Sequence, residues 1–224
     1  MTDTTQAPAR WVRPDGEDHD GTIDGFELFS ARRALGLLKR KLGRERLLGL
    51  LDEEIEIGNA FLRAQVQRAA GQETTGTIVL RVHGVTATQF TGWLSRAFGR
   101  EDVLLAGHPE HYSIHHAPGR DVNIVETLGD YVCSFFMRPW GASTVDPAGA
   151  SLPAAGSGNV RRSHIVLEDG TVVGSVSTAF SDEADGLTAQ LSVTLPSTCE
   201  GLVEQHLEHF AVEFRTWILL AAAE

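Results

Sequence analysis

Cysteine is scarce: Cys133 and Cys199 are the only two in 224 residues, so a disulfide framework is not indicated. Long apolar runs are missing as well. A bilayer-spanning helix needs about 20 consecutive apolar residues, and WILLAAA at 217–223 is far too short. Basic residues are outnumbered, 19 Lys and Arg against 30 Asp and Glu, a net charge of −11. That balance argues against sequence-independent nucleic-acid binding, which rests on neutralising phosphates. The opening stretch MTDTTQAPARWVRPDGEDHDG lacks the apolar segment of a signal peptide. The expectation is a soluble cytoplasmic protein with no membrane and no nucleic-acid partner. No internal repeat is present. What the chain does have is 42% apolar residues, enough to bury the core of one full-sized domain.

The segment 199–222, CEGLVEQHLEHFAVEFRTWILLAA, organises the rest. Its periodicity predicts one helix of more than six turns at about 3.6 residues per turn, and Ser197 to Glu200 have the Ser-x-x-Glu form of a capping box ahead of it. Leu202, His206, His209, Glu213 and Trp217 fall on one stripe, widened by Val203, Phe210, Phe214 and Ile218, while Glu204, Glu208 and Arg215 point away. Two imidazoles and a carboxylate therefore lie on the face that should be buried, where lone charges are costly. His209 and Glu213, four apart, can converge on one point. The pair reads two ways: as ligands for a divalent transition metal, zinc first, or as a hydrogen-bonded pair satisfied within the core. Cys199, in the first turn, reads as a thiol activated by the helix dipole or as an unreactive one near a cap.

Residues 1–24, rich in Asp, Gly, Thr and Pro, read as a mobile tail. From 27 to 70 the pattern is helical, with Leu35, Leu38 and Leu42 on a first stripe and Leu47, Leu48, Leu51, Ile55, Phe61, Leu62 and Val66 on a second. Gly43 is the expected break. The first helix is basic and the second acidic at its start, which suits solvated faces or pairing across a dimer. This gives a helical appendage over 25–72 that covers the main domain or pairs subunits. A strand over TIVLRVHGV follows, then a short helix capped by Thr86 with Phe90, Trp93, Leu94 and Phe98 inward. Six more strands are expected near 111–116, 122–127, 131–138, 163–168, 171–180 and 187–195, with hairpin turns at Gly129-Asp130 and Glu168-Asp169-Gly170. The small-residue stretch 141–159 reads as a mobile loop or a lid. The order describes an antiparallel sheet wrapped around the last helix, with a cavity between them.

Further donors lie along the strands. AGHPEHYSIHH holds four of the nine histidines, His108, His111, His115 and His116. Strict alternation puts His111, Ser113 and His115 on one side and Tyr112, Ile114 and His116 on the other. Glu126 continues an apolar row with Val122 and Ile124, which is either a directed carboxylate or an edge glutamate beside a turn.

The runs IVLRVHGVTATQFTGWLSRAF, GHPEHY, IVETLG, VGSVSTAF and HFAVEF, in that order over about 77–217, resemble the 2,4-diacetylphloroglucinol and phloretin hydrolases. That resemblance implies an α+β fold of Bet v 1/START-like helix-grip type, an antiparallel sheet around a long C-terminal helix over 73–224, behind the small helical appendage. It also implies Zn2+ held by two His and two Glu, and hydrolysis of a C–C bond beside an aryl ketone. HFAVEF carries the His-x-x-x-Glu pair as His209 and Glu213, and Glu126 matches the strand carboxylate. GHPEHY is one residue shorter than the family's run, giving His111 as the fourth ligand with His108 in reserve. Where the family tends to have a Tyr ahead of this run, this chain has Leu104 and Leu105. His164 matches a pocket histidine that exchanges protons with substrate, or is an exposed strand histidine, and His206, one turn before His209 on the same face, is a second catalytic histidine, a supporting partner or an alternative ligand. Tyr112 and Trp217 are expected to line the cavity or to serve as ordinary aromatic core.

The functional expectation is a zinc-dependent hydrolase acting on an acyl-phenol of diacetylphloroglucinol or phloretin type. The alternative is a metal-free helix-grip binding protein or cyclase for a small aromatic or polyketide-like ligand. A homodimer through residues 27–70 is expected in either case.

Overall fold

In the computed structural model the described residues are 23–116, 121–140 and 160–224. The expected tail and the 141–159 loop or lid lie outside them. Two compact units are present, one ending at Leu42 and the other running Gly43–Glu224. The appendage expected over 25–72 is therefore divided between Leu42 and Gly43. Helix α1, Ile23–Leu50, is interrupted at Gly43 (φ 71°, ψ 167°), and a further break at Leu51 (φ −104°, ψ 9°) precedes α2, Asp52–Ala69. The expectation held one break where there are two.

In the larger unit, β1 (Glu73–His83) is followed by α3 (Ala87–Ala97), α4 (Glu101–Leu105) and β2 (His111–His115). Strands β3 (Val122–Leu128), β4 (Tyr131–Pro139), β5 (Val160–Val166), β6 (Val172–Glu183) and β7 (Gly186–Pro196) come next, and α5 (Glu200–Ala223) closes the chain. All pairs are antiparallel in one sheet of order β1-β7-β6-β5-β4-β3-β2. Every strand expected from alternation is present; α4, too short for a periodic signal, was not foreseen. Thr86 caps α3 as expected, its hydroxyl accepting from the Gln89 N–H while the Gln89 side chain accepts from the Thr86 N–H. The cap expected before α5 is not the one formed. A 3-10 turn spans Ser197–Cys199, Cys199 is the N-cap, and no side-chain cap bond is formed among the described side chains.

Helix α5 packs against β1 and β7 along one face of the sheet, the helix-grip arrangement. Contact is close because Gly76 has no side chain: a Cβ there would lie 2.6 Å from Val203 Cγ1. The register then assigns faces. Gly76, Ile78 and Leu80 face the helix with their partners Val193, Leu191 and Ala189. Continuing across the ladder puts Val176, Ile165, Met137, Phe135, Cys133, Ile124 and Glu126 on the same face. Two buried clusters fill the space between. One joins Phe90 and Trp93 of α3 to Phe180, Phe210, Phe214 and Trp217; the other joins Leu62 of α2 to Cys133, Phe135, Ile165 and Val193. Aromatic side chains thus occupy much of the hollow expected between sheet and helix.

Helix α2 belongs with the sheet. Strands β4 and β5 pair only from Phe136 to Pro139, leaving the first half of β4 with an unpaired edge. Asn59 Oδ1 accepts the Ser134 N–H there at 3.0 Å, and Phe61 stacks on Tyr131 at 4.1 Å. Gly58 permits this approach, since a Cβ would sit 2.0 Å from the Val132 carbonyl oxygen. A helix that covers an exposed edge removes a site of unwanted strand pairing. Cys199 is buried, and burial raises its thiol pKa despite its hydrogen bond to Thr198, so the unreactive reading holds. None of the described helices is long and apolar enough to cross a membrane.

Candidate metal centre

Two elements deliver the polar groups. From the sheet come His111 and Glu126, directly paired across β2 and β3. From α5 come His206, His209 and Glu213, on the stripe facing the sheet. Their exposures are 1% for His111, 3% for Glu126, 5% for His206, 7% for His209 and 6% for Glu213, so water screens none of them. Among the described residues, the buried polar side chains include no lysine or arginine. Two buried carboxylates accordingly have only imidazoles as cationic partners.

The distances are short and convergent. His111 Nε2 and His209 Nε2 are 2.8 Å apart. Glu126 Oε2 is 3.2 Å from the first and 3.6 Å from the second. Glu213 Oε1 is 3.8 Å from His111 Nε2, and His206 Nδ1 is 3.8 Å from Glu126 Oε1. His111, Glu126 and His209 each bring one donor atom within 4.8 Å of the other two. Four donors at about 2.0–2.2 Å around one tetrahedral ion lie about 3.3–3.6 Å from each other. The observed spacings bracket that value, so the donor set fits a zinc-type ion in ligand type and reach.

Electrostatics point the same way. Burial works to raise the Glu126 pKa, but the His111 hydrogen bond and the nearby imidazoles overcome it and hold it at about 2. Glu213 goes the other way, raised to about 8 by burial and by the Glu126 charge against the influence of His111. Burial pushes His209 down to about 2, with Glu126 opposing, and lowers His206 as well. Burial thus favours the neutral form of His206 and His209, while Glu126 is held as the anion and Glu213 as the acid. Neutral imidazole and carboxylate are the forms that bind metal.

The structure brings five of the six expected site residues together. His164 is the exception. It pairs in register with Arg138 and Ser175, whereas its neighbour Ile165 pairs with Met137 on the face that carries Glu126. His164 therefore lies on the opposite face of the sheet, with its ring stacked on Trp140 at 4.0 Å. The expected alternation along 111–116 also fails, because the register shifts between His111 and Ser113. Ile114 pairs with Ile124 on the helix-facing side, and Ser113, opposite Val125, donates to Glu101 at 2.9 Å.

His108, the reserve ligand, lines the approach to the cluster. Its ring stacks on His209 at 3.7 Å, and its Nδ1 accepts the Glu110 N–H at 3.2 Å. A cleft of about 380 Å³ opens here, lined by His108, Glu110, His206, Glu208 and His209 with apolar walls from Leu128, Leu202 and Val212. Glu110 and Glu208 were not anticipated. A carboxylate one residue from a ligand histidine was the available signal for Glu110; Glu208 sits at the margin of the helix stripe. Of the aromatic candidates, Trp217 is core and donates its Nε1–H to the Leu104 carbonyl at 3.1 Å, while the Tyr112 hydroxyl bonds Thr127 at 3.1 Å.

No family model matches the chain, and no curated protein matches it. Solved structures similar to it include a START superfamily protein from Mycobacterium smegmatis, 13% identical, covering 66% of this chain and 99% of that one at a TM-score of 0.44. Another is Ara h 8.0201, 13% identical, covering 68% and 99% at 0.42. A third is the Zhui aromatase/cyclase from Streptomyces sp. R1128, 12% identical, covering 67% and 93% at 0.40.

Proposed function

We propose that this chain is a metal-dependent enzyme acting on a ketone-bearing aromatic or polyketide-like molecule, with His111, Glu126, His209 and Glu213 holding one zinc-type ion. The observation that supports this most is the approach of two imidazole Nε2 atoms to 2.8 Å beside Glu126, in a buried cluster without lysine or arginine. A bound divalent ion supplies a Lewis acid for a carbonyl oxygen and lowers the pKa of a coordinated water. The chain's own part is binding and orientation. Leu128, Leu202 and Val212 give the cleft an apolar wall for an aromatic body, and His206 and His209 mark its inner end. His206 Nδ1, buried and without a hydrogen-bond partner among the described residues, supports the donor cluster from the side of Glu126.

Following the resemblance of the sequence, the reaction proposed is hydrolytic cleavage of the C–C bond next to an aryl ketone. A second reading keeps the fold and omits the metal: a binding protein or cyclase for a similar ligand, favoured by the apolar wall of the cleft. Metal analysis of protein purified without supplementation separates the two. One equivalent of zinc-type metal supports the enzyme; absence of metal, together with failure to take up zinc from a buffered solution, leaves the binding protein or cyclase. Assay of an acyl-phenol, with the released carboxylic acid as readout, tests the reaction.

The homodimer through residues 27–70 is also proposed, and the described part of α1 supports it. Phe26, Leu28, Phe29, Leu37 and Leu38 of that helix are large, apolar and exposed, a stretch that a second copy would cover.

A further inference from the structure

The cleft contains a second group of donors, and His209 belongs to both. His108, Glu110 and His209 each place one ligand atom within 4.8 Å of the other two. We propose that these three form a capture site through which a divalent transition-metal ion passes on its way to the buried centre, a proposal that rests on the metal reading above. The buried donors are almost closed to water, so an ion has to cross the protein wall to reach them. The cleft is lined by the buried His206 and His209, the half-buried His108 and the exposed Glu110 and Glu208. No lysine or arginine is among the described residues that line it, and a recess whose charged lining is carboxylate raises the local concentration of cations.

The chemistry suits passage better than storage. Imidazole and carboxylate take zinc, cobalt and nickel ions in preference to calcium or magnesium. His108, however, already uses Nδ1 to accept the Glu110 N–H, and its ring lies against His209. In the neutral form that bond places the ring proton on Nε2. Coordination by His108 must therefore shed the Nε2 proton or turn the ring, which weakens the outer site. Glu110 is exposed. The inner group offers buried donors spaced for one ion. Because His209 is common to both, transfer gives up His108 and Glu110 and gains His111, Glu126 and Glu213 while one ligand is retained throughout.

The test is stopped-flow uptake of Co2+ by the full-length metal-free protein, read in the cobalt absorption bands, followed by release to a strong chelator. A site on the path slows both directions equally when it is damaged and leaves the equilibrium alone. Glu110→Gln should reduce the uptake and release rates together by about tenfold, the lower end of electrostatic rate effects, with one Co2+ still bound at saturation. Glu208→Gln lines the same cleft outside the donor group and should change either rate less than about twofold. Unchanged rates in Glu110→Gln overturn the proposal. So does an equal effect of Glu208→Gln, which shows a diffuse field, and so does loss of bound Co2+ at saturation, which makes Glu110 part of the final site. If the wild-type chain takes up no Co2+ at all, the metal reading falls with it; binding with unaffected rates removes the capture site alone.

Discussion

His111 and His209, 98 residues apart in sequence, point their Nε2 atoms at each other across 2.8 Å. Two neutral imidazoles can do this only if one donates its proton, because two lone pairs at that distance repel. A cation between them removes the conflict for both. Burial holds His209 in its neutral form, so a shared imidazolium is disfavoured on the helix side. The carboxylates complete the argument: Glu126 lies within 3.2 Å of one nitrogen and 3.6 Å of the other, and a divalent ion balances two carboxylates that otherwise have only imidazoles nearby.

His209→Ala therefore removes a ligand without removing the apolar stripe of α5. Metal affinity should fall more than about 100-fold, beyond the loss typical of a supporting residue, and turnover should vanish. Cooperative unfolding of the metal-free protein should persist. Metal content and a thermal melt read both outcomes, and a His209→Ala protein with full metal content contradicts the ligand assignment.

Above the ordinary imidazole value of 6.5 the metal-free protein should lose stability as pH rises. Glu213 has a folded pKa of about 8 against an ordinary 4.5. Between those values the folded state holds a proton that the unfolded state has released, so stability declines with pH across that window and is flat outside it as far as Glu213 is concerned. The sign is opposite to the usual carboxylate case. His206 and His209, held below the ordinary 6.5 in the folded state, act in the opposite direction below that pH, so melts of chelator-treated protein should show a falling midpoint between 6.5 and about 8, and Glu213→Gln should flatten the slope. A wild-type midpoint that rises between pH 6.5 and about 8 would refute the assignment.

Much of this centre is legible in the chain, and the failures have specific causes. Periodicity places His209 and Glu213 on the buried stripe because helix geometry fixes faces over long segments. Alternation places Glu126 in an apolar row for the same kind of reason. Alternation does not say which face of a sheet a strand presents to the helix; only register does, so the place of His164 opposite Arg138 and Ser175 is visible only in the structure. The shift between His111 and Ser113 is a local insertion whose trace, two neighbouring buried positions, cannot be separated from noise in five residues. Helix α2 looked separable because its charges resemble a solvated pair with α1. Its role at the β4 edge depends on Gly58, whose significance appears only once the Val132 carbonyl is beside it.

That contact gives a stability prediction far from the metal. Gly58→Ala pushes a methyl group into the Val132 carbonyl and must displace α2 from the unpaired edge of β4. The cost should be about 2 kcal/mol or more, in the upper part of the range for overpacking, although Ala favours helix more than Gly does. Chemical denaturation measures it. A neutral or stabilising result would mean that α2 does not hold this position in solution.

The final prediction concerns how α5 positions the sheet ligand. Trp217 follows Glu213 by one turn, and its Nε1–H bonds the Leu104 carbonyl at the end of α4. Gly107 leaves room for the indole, since a Cβ there would lie 2.5 Å from Nε1. The segment from Leu104 to His111 carries His108, Glu110 and the first strand ligand, so this single bond ties that segment to the helix supplying the other two. Trp217→Phe keeps an aromatic ring but leaves a buried carbonyl without its donor, a loss of about 1–3 kcal/mol. If the bond positions His111, metal affinity should drop about tenfold as well, the scale seen when a supporting hydrogen bond around a ligand is lost. Denaturation and competitive metal titration on the same variant distinguish the cases. Lower stability with unchanged metal affinity assigns Trp217 to the core alone, whereas a fall in both shows that the indole holds the donor geometry.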